Sequence, residues 1–169
     1  MDVVGQLKEL CDRFGGIFEA EEDIGLYTCY LDNLFTGKYI RDPNVALEFC
    51  SDLSKLLNNE FAIEPLVNSK TLMRIGFAGE KSYETLDVGE GATGMWIMLY
   101  RTKTREGTIR HNILIQPIKQ KGKQLYDMGC RIDYKVEPNG KSALARFVCD
   151  EYSDTKISSV AAKIEKRIF

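Results

Sequence analysis

Histidine is almost absent from the chain, and this scarcity excludes most chemistry that depends on imidazole. The single histidine is His111. A zinc site needs a spaced set of His and Cys ligands, which one histidine and scattered cysteines cannot supply. The acidic run 19–23 lacks the glycine and the terminal glutamate of an EF-hand calcium loop. We therefore expect no metal site, and His111, on the apolar side of a predicted strand, is expected to be a structural core residue.

Cysteines with a recognisable spacing are also missing. The five cysteines are odd in number, and none forms a C-x-x-C pair. All lie among apolar residues at positions expected to face the core: Cys11, Cys29, Cys50, Cys130 and Cys149. This favours small buried thiols in a reducing compartment over a disulfide or metal framework. Because the first ten residues are acidic and amphipathic rather than a secretory signal, we expect a cytoplasmic protein.

Long apolar runs do not occur. The longest, Gly94–Tyr100, has seven residues, whereas a membrane-spanning helix needs roughly 20, so no membrane partner is expected. The chain has 169 residues, of which 44% are hydrophobic and 28% charged, a composition typical of globular domains. We expect one domain over residues 1–169, with a possible subdivision into an acidic region 1–90 and a basic region 91–169.

Helical periodicity and capping residues predict three helices. The first begins at an Asp2 N-cap and stops at Gly15-Gly16. The second begins at an Asp42 N-cap, with Pro43 in the first helical position, where its missing N–H costs nothing. The third begins near Ser153 or Asp154 and buries apolar residues that include Ile164. Lysine and arginine in its last turns suit the negative end of the helix dipole.

Strand signals fill most of the remaining sequence and predict an α+β fold. A helix-hairpin unit is expected twice in the N-terminal half, with strands 17–21 and 26–31 and then 61–67 and 72–77. The C-terminal half predicts an antiparallel meander of strands 95–103, 109–118, 128–136 and 143–152, separated by turn-rich segments. The C-terminal helix is expected to pack on this sheet. Alternation places His111 on the apolar face and Asn112, Gln116 and Asp133 on an exposed polar face.

One segment resembles a nucleotide-binding motif letter by letter. Residues 89–94 read GEGATG, which matches G-x-G-x-x-G. A dinucleotide site requires this loop to open a helix, but here it leads into an apolar, strand-like segment. A kinase-type glycine loop would need a lysine and catalytic-loop motifs that the chain lacks. We therefore interpret the segment as a connection between strands and expect no cofactor.

Charge is distributed unevenly along the chain. Residues 1–100 contain 8 Lys/Arg against 17 Asp/Glu, whereas residues 101–169 contain 15 against 8. The basic residues expected to bind an acidic protein surface or phosphate are Arg101, Lys103, Arg105, Arg110, Lys119, Lys121, Lys123, Arg131 and Lys135. Meander geometry places Lys103 and Arg105 at one end of the sheet and Lys119 at the other, so these residues need not form one track.

These observations favour a non-enzymatic protein–protein interaction or assembly module with charge-complementary surfaces, in which self-association or a separate partner is open. The first alternative is a nucleic-acid-binding protein that uses the basic strands and hairpins. The second is a small-ligand carrier or an enzyme without a recognisable motif. No catalytic residue is predicted, and a solvated basic edge that prevents strand aggregation would explain the same charges.

Overall fold

The computed structural model describes residues 2–32, 34–36, 39–40, 42–65, 73–79, 84–86, 92–119, 129–136, 143–150 and 155–168. The helices in these ranges are α1 (Val3–Arg13), α2 (Pro43–Leu56) and α3 (Thr155–Ile168). The strands are β1 (Ile17–Glu21), β2 (Leu26–Leu31), β3 (Phe35–Thr36), β4 (Tyr39–Ile40), β5 (Phe61–Pro65), β6 (Met73–Phe77), β7 (Glu84–Leu86), β8 (Ala92–Lys103), β9 (Ile109–Lys119), β10 (Gly129–Val136) and β11 (Ala143–Asp150).

The helix ends form where the capping residues predict them. The Asp2 carboxylate accepts a hydrogen bond of 2.7 Å from the backbone N–H three residues later, and Asp42 accepts one of 2.8 Å at the start of α2. Pro43 occupies the first position of α2. Asn58 and Asn59, just past its end, both have a φ of 57°, a left-handed conformation that asparagine tolerates better than most residues. The N-cap predicted for α3 lies outside the described residues.

The predicted α+β architecture is confirmed. One sheet contains six strands in the order β1-β2-β8-β9-β10-β11, and every neighbouring pair is antiparallel. Its last four strands are the predicted meander, and the β1–β2 hairpin joins it through β2 and β8. The second helix-hairpin unit, α2 with β5 and β6, contributes to a separate three-stranded sheet, β5-β6-β7.

Hydrophobic residues cover both faces of the six-stranded sheet. On one face, α1, α2, β5 and β6 pack against alternate residues of β2, β8, β9 and β10 to form the larger core, which includes Leu53 and Ile97. On the other face, Val160, Ala161 and Ile164 of α3 pack over Trp96 and its neighbours to form a smaller core. The strand residues Met95–Leu99 are buried on both faces, as predicted from a segment that is apolar at consecutive positions.

The polar face predicted to be exposed is buried instead. Asn112 is fully buried, and Gln116 and Asp133 are nearly so. They lie on the α3 side of the sheet, where alternation also places apolar residues such as Leu114. Hydrogen bonds offset part of the cost of burying these groups: the Asn112 amide donates to the hydroxyl of Thr102 at 3.1 Å, and Arg146 donates to the Asp133 carboxylate at 3.3 Å. Asn112 and Gln116 are therefore not available on the surface to a nucleic acid.

The prediction of five free thiols is wrong. Cys11 of α1 and Cys29 of β2 are joined by a disulfide, and their Cα atoms lie 5.6 Å apart. The sequence could not show this pair, because 18 residues separate them and only the packing of α1 on β2 brings them together. The expected cytoplasmic location rested partly on reduced thiols and loses that support. None of the described helices combines the length and apolar character needed to cross a bilayer.

One buried thiol and two buried phenols have raised pKa values, and we therefore expect the fold to be less stable in alkaline solution. Burial is the main cause that raises the pKa of the Cys50 thiol and of the Tyr30 and Tyr134 phenols to about 12. In the unfolded chain these groups lose protons near their ordinary pKa values, about 8.5 for Cys and about 10 for Tyr. Their contribution to stability is therefore complete below about pH 8.5 and is lost as the pH approaches 12, because the unfolded chain then binds fewer protons.

Urea denaturation at stepped pH values measures this effect. We expect the free energy of unfolding to fall between about pH 9 and pH 12, and to fall less steeply in Tyr134→Phe, which has no phenol to titrate at that position. The variant also loses the hydrogen bond of 3.1 Å from Tyr134 to Glu60. The stability of each protein at high pH is therefore compared with its own stability at neutral pH. If the free energy of unfolding fell equally steeply with pH in the two proteins, the Tyr134 phenol would not contribute to the loss of stability.

A candidate binding surface at the overhanging end of the sheet

Part of the charge asymmetry is neutralised within the molecule. Lys163 of α3 forms an ion pair with Glu21 of β1. Arg167 forms a second ion pair with Glu19 at 2.8 Å and also donates to the backbone carbonyl of Phe18 at 3.2 Å. The basic C-terminal helix thus lies against the acidic first hairpin. These four charged groups are already paired, so the surface that remains for a partner must be sought elsewhere.

The β8–β9 hairpin passes from buried to exposed residues at the end of the sheet where the start of α1 lies. Along β8 the residues on the α1 side continue from buried Leu99 to exposed Arg101 and Lys103. Along β9 the same row runs from buried Ile113 to exposed His111 and Ile109. We call residues Arg101–His111 the overhang. It carries four basic residues, Arg101, Lys103, Arg105 and Arg110, against one acidic residue, Glu106.

The prediction that His111 is a core residue is therefore wrong. Alternation correctly places His111 on the same face as Ile113 and Ile115, which are buried in the larger core. Periodicity identifies the face of a strand but not how far a helix covers it. The start of α1 and Ile113 line the same cleft. The next residue along that row, His111, is exposed and lies directly opposite Arg101 in the strand register.

A cleft of about 290 Å³ opens between the overhang and the start of α1. Its apolar wall is formed by Val3 and Val4 of α1 together with Tyr27, Leu99 and Ile113 of the sheet. Its polar lining consists of Asp2, Arg101 and His111, with Tyr100 and Gly25 completing the boundary. An apolar depression with a few convergent polar groups is the usual form of a binding site.

The guanidinium of Arg101 is held in place at the edge of the cleft. It donates a hydrogen bond of 3.1 Å to the carbonyl oxygen of Glu22, in the 3-10 turn Glu22–Ile24. The side chain crosses Gly25, where a Cβ atom would collide with the Arg101 guanidinium. Gly25 also has a φ of 62°, a left-handed conformation that favours glycine. This position of the Arg101 side chain therefore requires that residue 25 has no side chain.

The tip of the overhang is ordered by its own hydrogen bonds. The Thr104 N–H donates to the Thr108 carbonyl at 2.9 Å, and the Thr108 N–H donates to the Thr104 hydroxyl at 3.1 Å. Gly107, with a φ of 83°, provides the left-handed residue of this turn. Lys103 and Arg105 are exposed on either side of Thr104. Because the turn is already ordered, less conformational entropy is lost when a partner binds.

Exposed apolar side chains lie at the same end of the sheet. In the part of the chain that the structure describes, the large hydrophobic residues that are clearly exposed are Ile24, Leu47 and Ile109. Ile24 belongs to the turn that holds Arg101, and Ile109 is the register partner of Lys103. Ile109 therefore belongs to the overhang and Ile24 lies beside it, which is the combination of apolar contact and charged rim found in protein interfaces.

A second cavity is larger but more polar. It measures about 420 Å³ and lies between α1 and the end of α2, with Arg13, Asp52 and Lys55 among its lining residues. Arg13 contacts Asp52 at 3.5 Å and Glu48 at 3.8 Å. These ion pairs link the two helices across the groove, and the exposed pair with Glu48 contributes little energy. Packing of the two helices explains this arrangement without a bound partner.

The remaining predicted basic residues are not brought together with the overhang. Lys119 ends β9, roughly 30 Å from Ile109 at the strand's usual rise per residue, well beyond the screening distance of about 8–10 Å. Lys121 and Lys123 lie outside the described residues. Arg110 and Arg131 belong to β9 and β10, but their side chains are not described. Lys135 is half-buried on β10. The structure thus brings Arg101, Lys103 and Arg105 to one place.

Sequence reasoning selected the basic residues of the overhang but missed the cleft and its histidine. The exposure of His111 could have been suggested by the end of the apolar pattern on β9, where the polar His111 follows Ile109 on the same face. The position of α1 along the strands is tertiary information, which alternation does not contain. Comparison of the chain with protein-family models, curated proteins and solved structures gave no match.

Proposed function

We propose that the protein is a protein-interaction module whose overhang and cleft bind an acidic segment of a protein partner. One observation carries the proposal: an apolar cleft is bordered by Arg101 and His111, beside exposed Lys103 and Arg105. An apolar side chain of the partner would occupy the space between Val4 and Leu99. Carboxylates on either side of it would contact the basic residues.

The two parts of this surface make different contributions. Buried apolar contacts supply most of the affinity in protein interfaces, and charges at the rim mainly set the encounter rate and the orientation. Arg101 is suited to bind a carboxylate, because its guanidinium presents several N–H groups in a fixed plane. One of these N–H groups is used by the Glu22 carbonyl. Lys103 and Arg105 are exposed and extend the positive potential beyond the cleft.

A separate partner fits the charges better than a copy of the same chain. Head-to-tail assembly would need an acidic surface that matches the overhang. In the first hairpin, Glu19 and Glu21 are paired with α3 of their own molecule. A second copy would have to displace those ion pairs or use acidic residues elsewhere. Size-exclusion chromatography with light scattering at low and high salt distinguishes the two cases, and we expect a species of constant mass.

A charge-reversal variant tests the proposal. The probe is a fluorescent peptide rich in aspartate and glutamate with a central Leu-Phe pair, and binding is measured by fluorescence anisotropy. We expect Lys103→Glu/Arg105→Glu to weaken binding by roughly tenfold or more at low salt, and much less at high salt, because the contribution is electrostatic. The matched control is Lys55→Glu/Lys166→Glu, which makes the same charge change at exposed positions on α2 and α3.

Two further probes define the outcomes that contradict the proposal. Replacing the Leu-Phe pair of the peptide by Ser-Ser removes the apolar anchor and should weaken binding at both salt concentrations. A single-stranded oligonucleotide should bind less well than the peptide. If it binds more tightly, with log affinity falling linearly with log salt concentration, the surface is a nucleic-acid site. Equal effects of the overhang and control variants would show that only net charge matters.

A further inference from the structure

The strand register places two cysteines directly opposite each other. Cys130 of β10 and Cys149 of β11 are paired in the antiparallel ladder, between the pairs Gly129–Asp150 and Arg131–Val148. Directly opposite residues of such a ladder have Cα atoms about 4.5 or 5.5 Å apart, depending on the hydrogen-bonding position. Both values fall within the Cα separation of about 4.4–6.8 Å that disulfides require.

The other three cysteines cannot compete for this bond in the folded protein. Cys11 and Cys29 are already joined to each other. Cys50 is buried in the larger core, and burial raises its pKa to about 12, so its reactive thiolate is scarce at neutral pH. The five cysteines therefore comprise one disulfide, one buried thiol and one pair that lies opposite in the strand register. β11 is the last strand of its sheet, which leaves one of its edges without a neighbouring strand in the described part of the chain.

We propose that Cys130 and Cys149 form a second, cross-strand disulfide by exchange with a small-molecule disulfide such as glutathione disulfide. The thiolate of one cysteine attacks a glutathione sulfur, so that a mixed disulfide forms and one glutathione thiolate leaves. The thiolate of the opposite cysteine then attacks the protein sulfur of the mixed disulfide and releases the second glutathione. The two protein thiols lose two electrons and two protons in total, and glutathione disulfide is reduced to two thiols.

The bond would link the edge strand of the sheet covalently to its neighbour. Edge strands are held by hydrogen bonds on one side alone and open more easily than central strands. Oxidation should therefore slow amide hydrogen exchange in residues 143–150 more than in the central strand β8. This consequence is independent of the binding function proposed for the overhang, which lies on β8 and β9.

Peptide mass spectrometry tests the proposal on the full chain. The folded protein, with its Cys11–Cys29 disulfide intact, is treated with glutathione disulfide and then denatured and alkylated before digestion. We expect the peptides that contain Cys130 and Cys149 to be recovered as one linked species that separates on reduction. In Cys149→Ser the resolving thiol is missing, so glutathione should remain on Cys130, whereas Cys50→Ser should leave the linkage intact. Recovery of Cys130 and Cys149 in the wild-type protein as alkylated thiols, as separate glutathione adducts or linked to other cysteines would overturn the proposal.

Discussion

Replacing Ile164 by aspartate is expected to lower the free energy of unfolding by about 4 kcal/mol, because the change leaves an unpaired charge in an apolar environment. Ile164 is fully buried and packs with Val160 and Ala161 of α3 over the sheet residues Trp96 and Leu114. A carboxylate at this position would have to remain buried without a partner or displace the helix from the sheet. Urea denaturation followed by circular dichroism measures the loss.

Ala162→Asp is the matched control for this substitution. Ala162 lies on the exposed side of the same helix, so the added charge stays in water and should cost about 1 kcal/mol or less, mainly through the lower helix propensity of aspartate. If Ile164→Asp were as stable as the wild-type protein, α3 would not be packed on the sheet. The ion pairs of Lys163 and Arg167 with β1 would then hold a helix that is not anchored by apolar contacts.

Replacing Gly94 by alanine is expected to cost about 3 kcal/mol, the upper part of the range for overpacking. A Cβ atom at this position would collide with the backbone carbonyl oxygen of Leu31, and backbone cannot move aside as a side chain can. The register of β8 with β9 shifts between Ala92 and Gly94 at this point. Thermal denaturation of Gly94→Ala measures the effect.

Gly107→Ala provides the comparison for Gly94→Ala. Gly107 has a φ of 83°, but a Cβ atom there would meet no atom closer than the end of Lys103 at 4.0 Å. Its cost should therefore be limited to the backbone strain of about 1–2 kcal/mol that alanine experiences in a left-handed conformation. If the two variants were equally stable, close packing against β2 would not be the reason that position 94 requires a glycine.

The glycine at position 94 also shows why a motif match misleads. GEGATG matches the letters of a nucleotide-binding loop, but its last glycine lies within β8 and contacts the neighbouring strand. The chemistry of a phosphate site requires a helix at that place. The sequence predicted a strand from residue 95 instead, and the strand in fact begins earlier, at Ala92, so residues 92–94 belong to it rather than to a connection. Residues 87–91 lie outside the described residues, so the role of the preceding glycines stays a prediction.

Local signals in the sequence predicted most of the elements. The caps at Asp2 and Asp42 are side-chain hydrogen bonds within one turn, and alternation within one strand identified which residues share a face. These features depend on neighbouring residues, and the sequence contains them directly. The boundaries of β1 and β2 agree with the prediction for the same reason.

Features that depend on distant residues were missed. The disulfide between Cys11 and Cys29 requires α1 to pack on β2. The burial of Asn112 and Asp133 follows from their position on a face that also forms the core under α3. The exposure of His111 follows from where α1 begins along the sheet. The candidate site was predicted only through its basic residues, since the cleft is created by the relative position of a helix and two strands.

The most direct test of the binding surface is a nuclear magnetic resonance titration of the labelled protein with the acidic peptide that contains the Leu-Phe pair. We expect the amide shifts to change most at residues 2–4, 24–27, 99–105 and 109–113, which form the cleft, the overhang and the turn beside them. Lys103→Glu/Arg105→Glu should reduce these changes at the same peptide concentration. Shift changes confined to the groove between α1 and α2 or to α3, or none at saturating peptide, would contradict binding of an acidic segment at the cleft and the overhang.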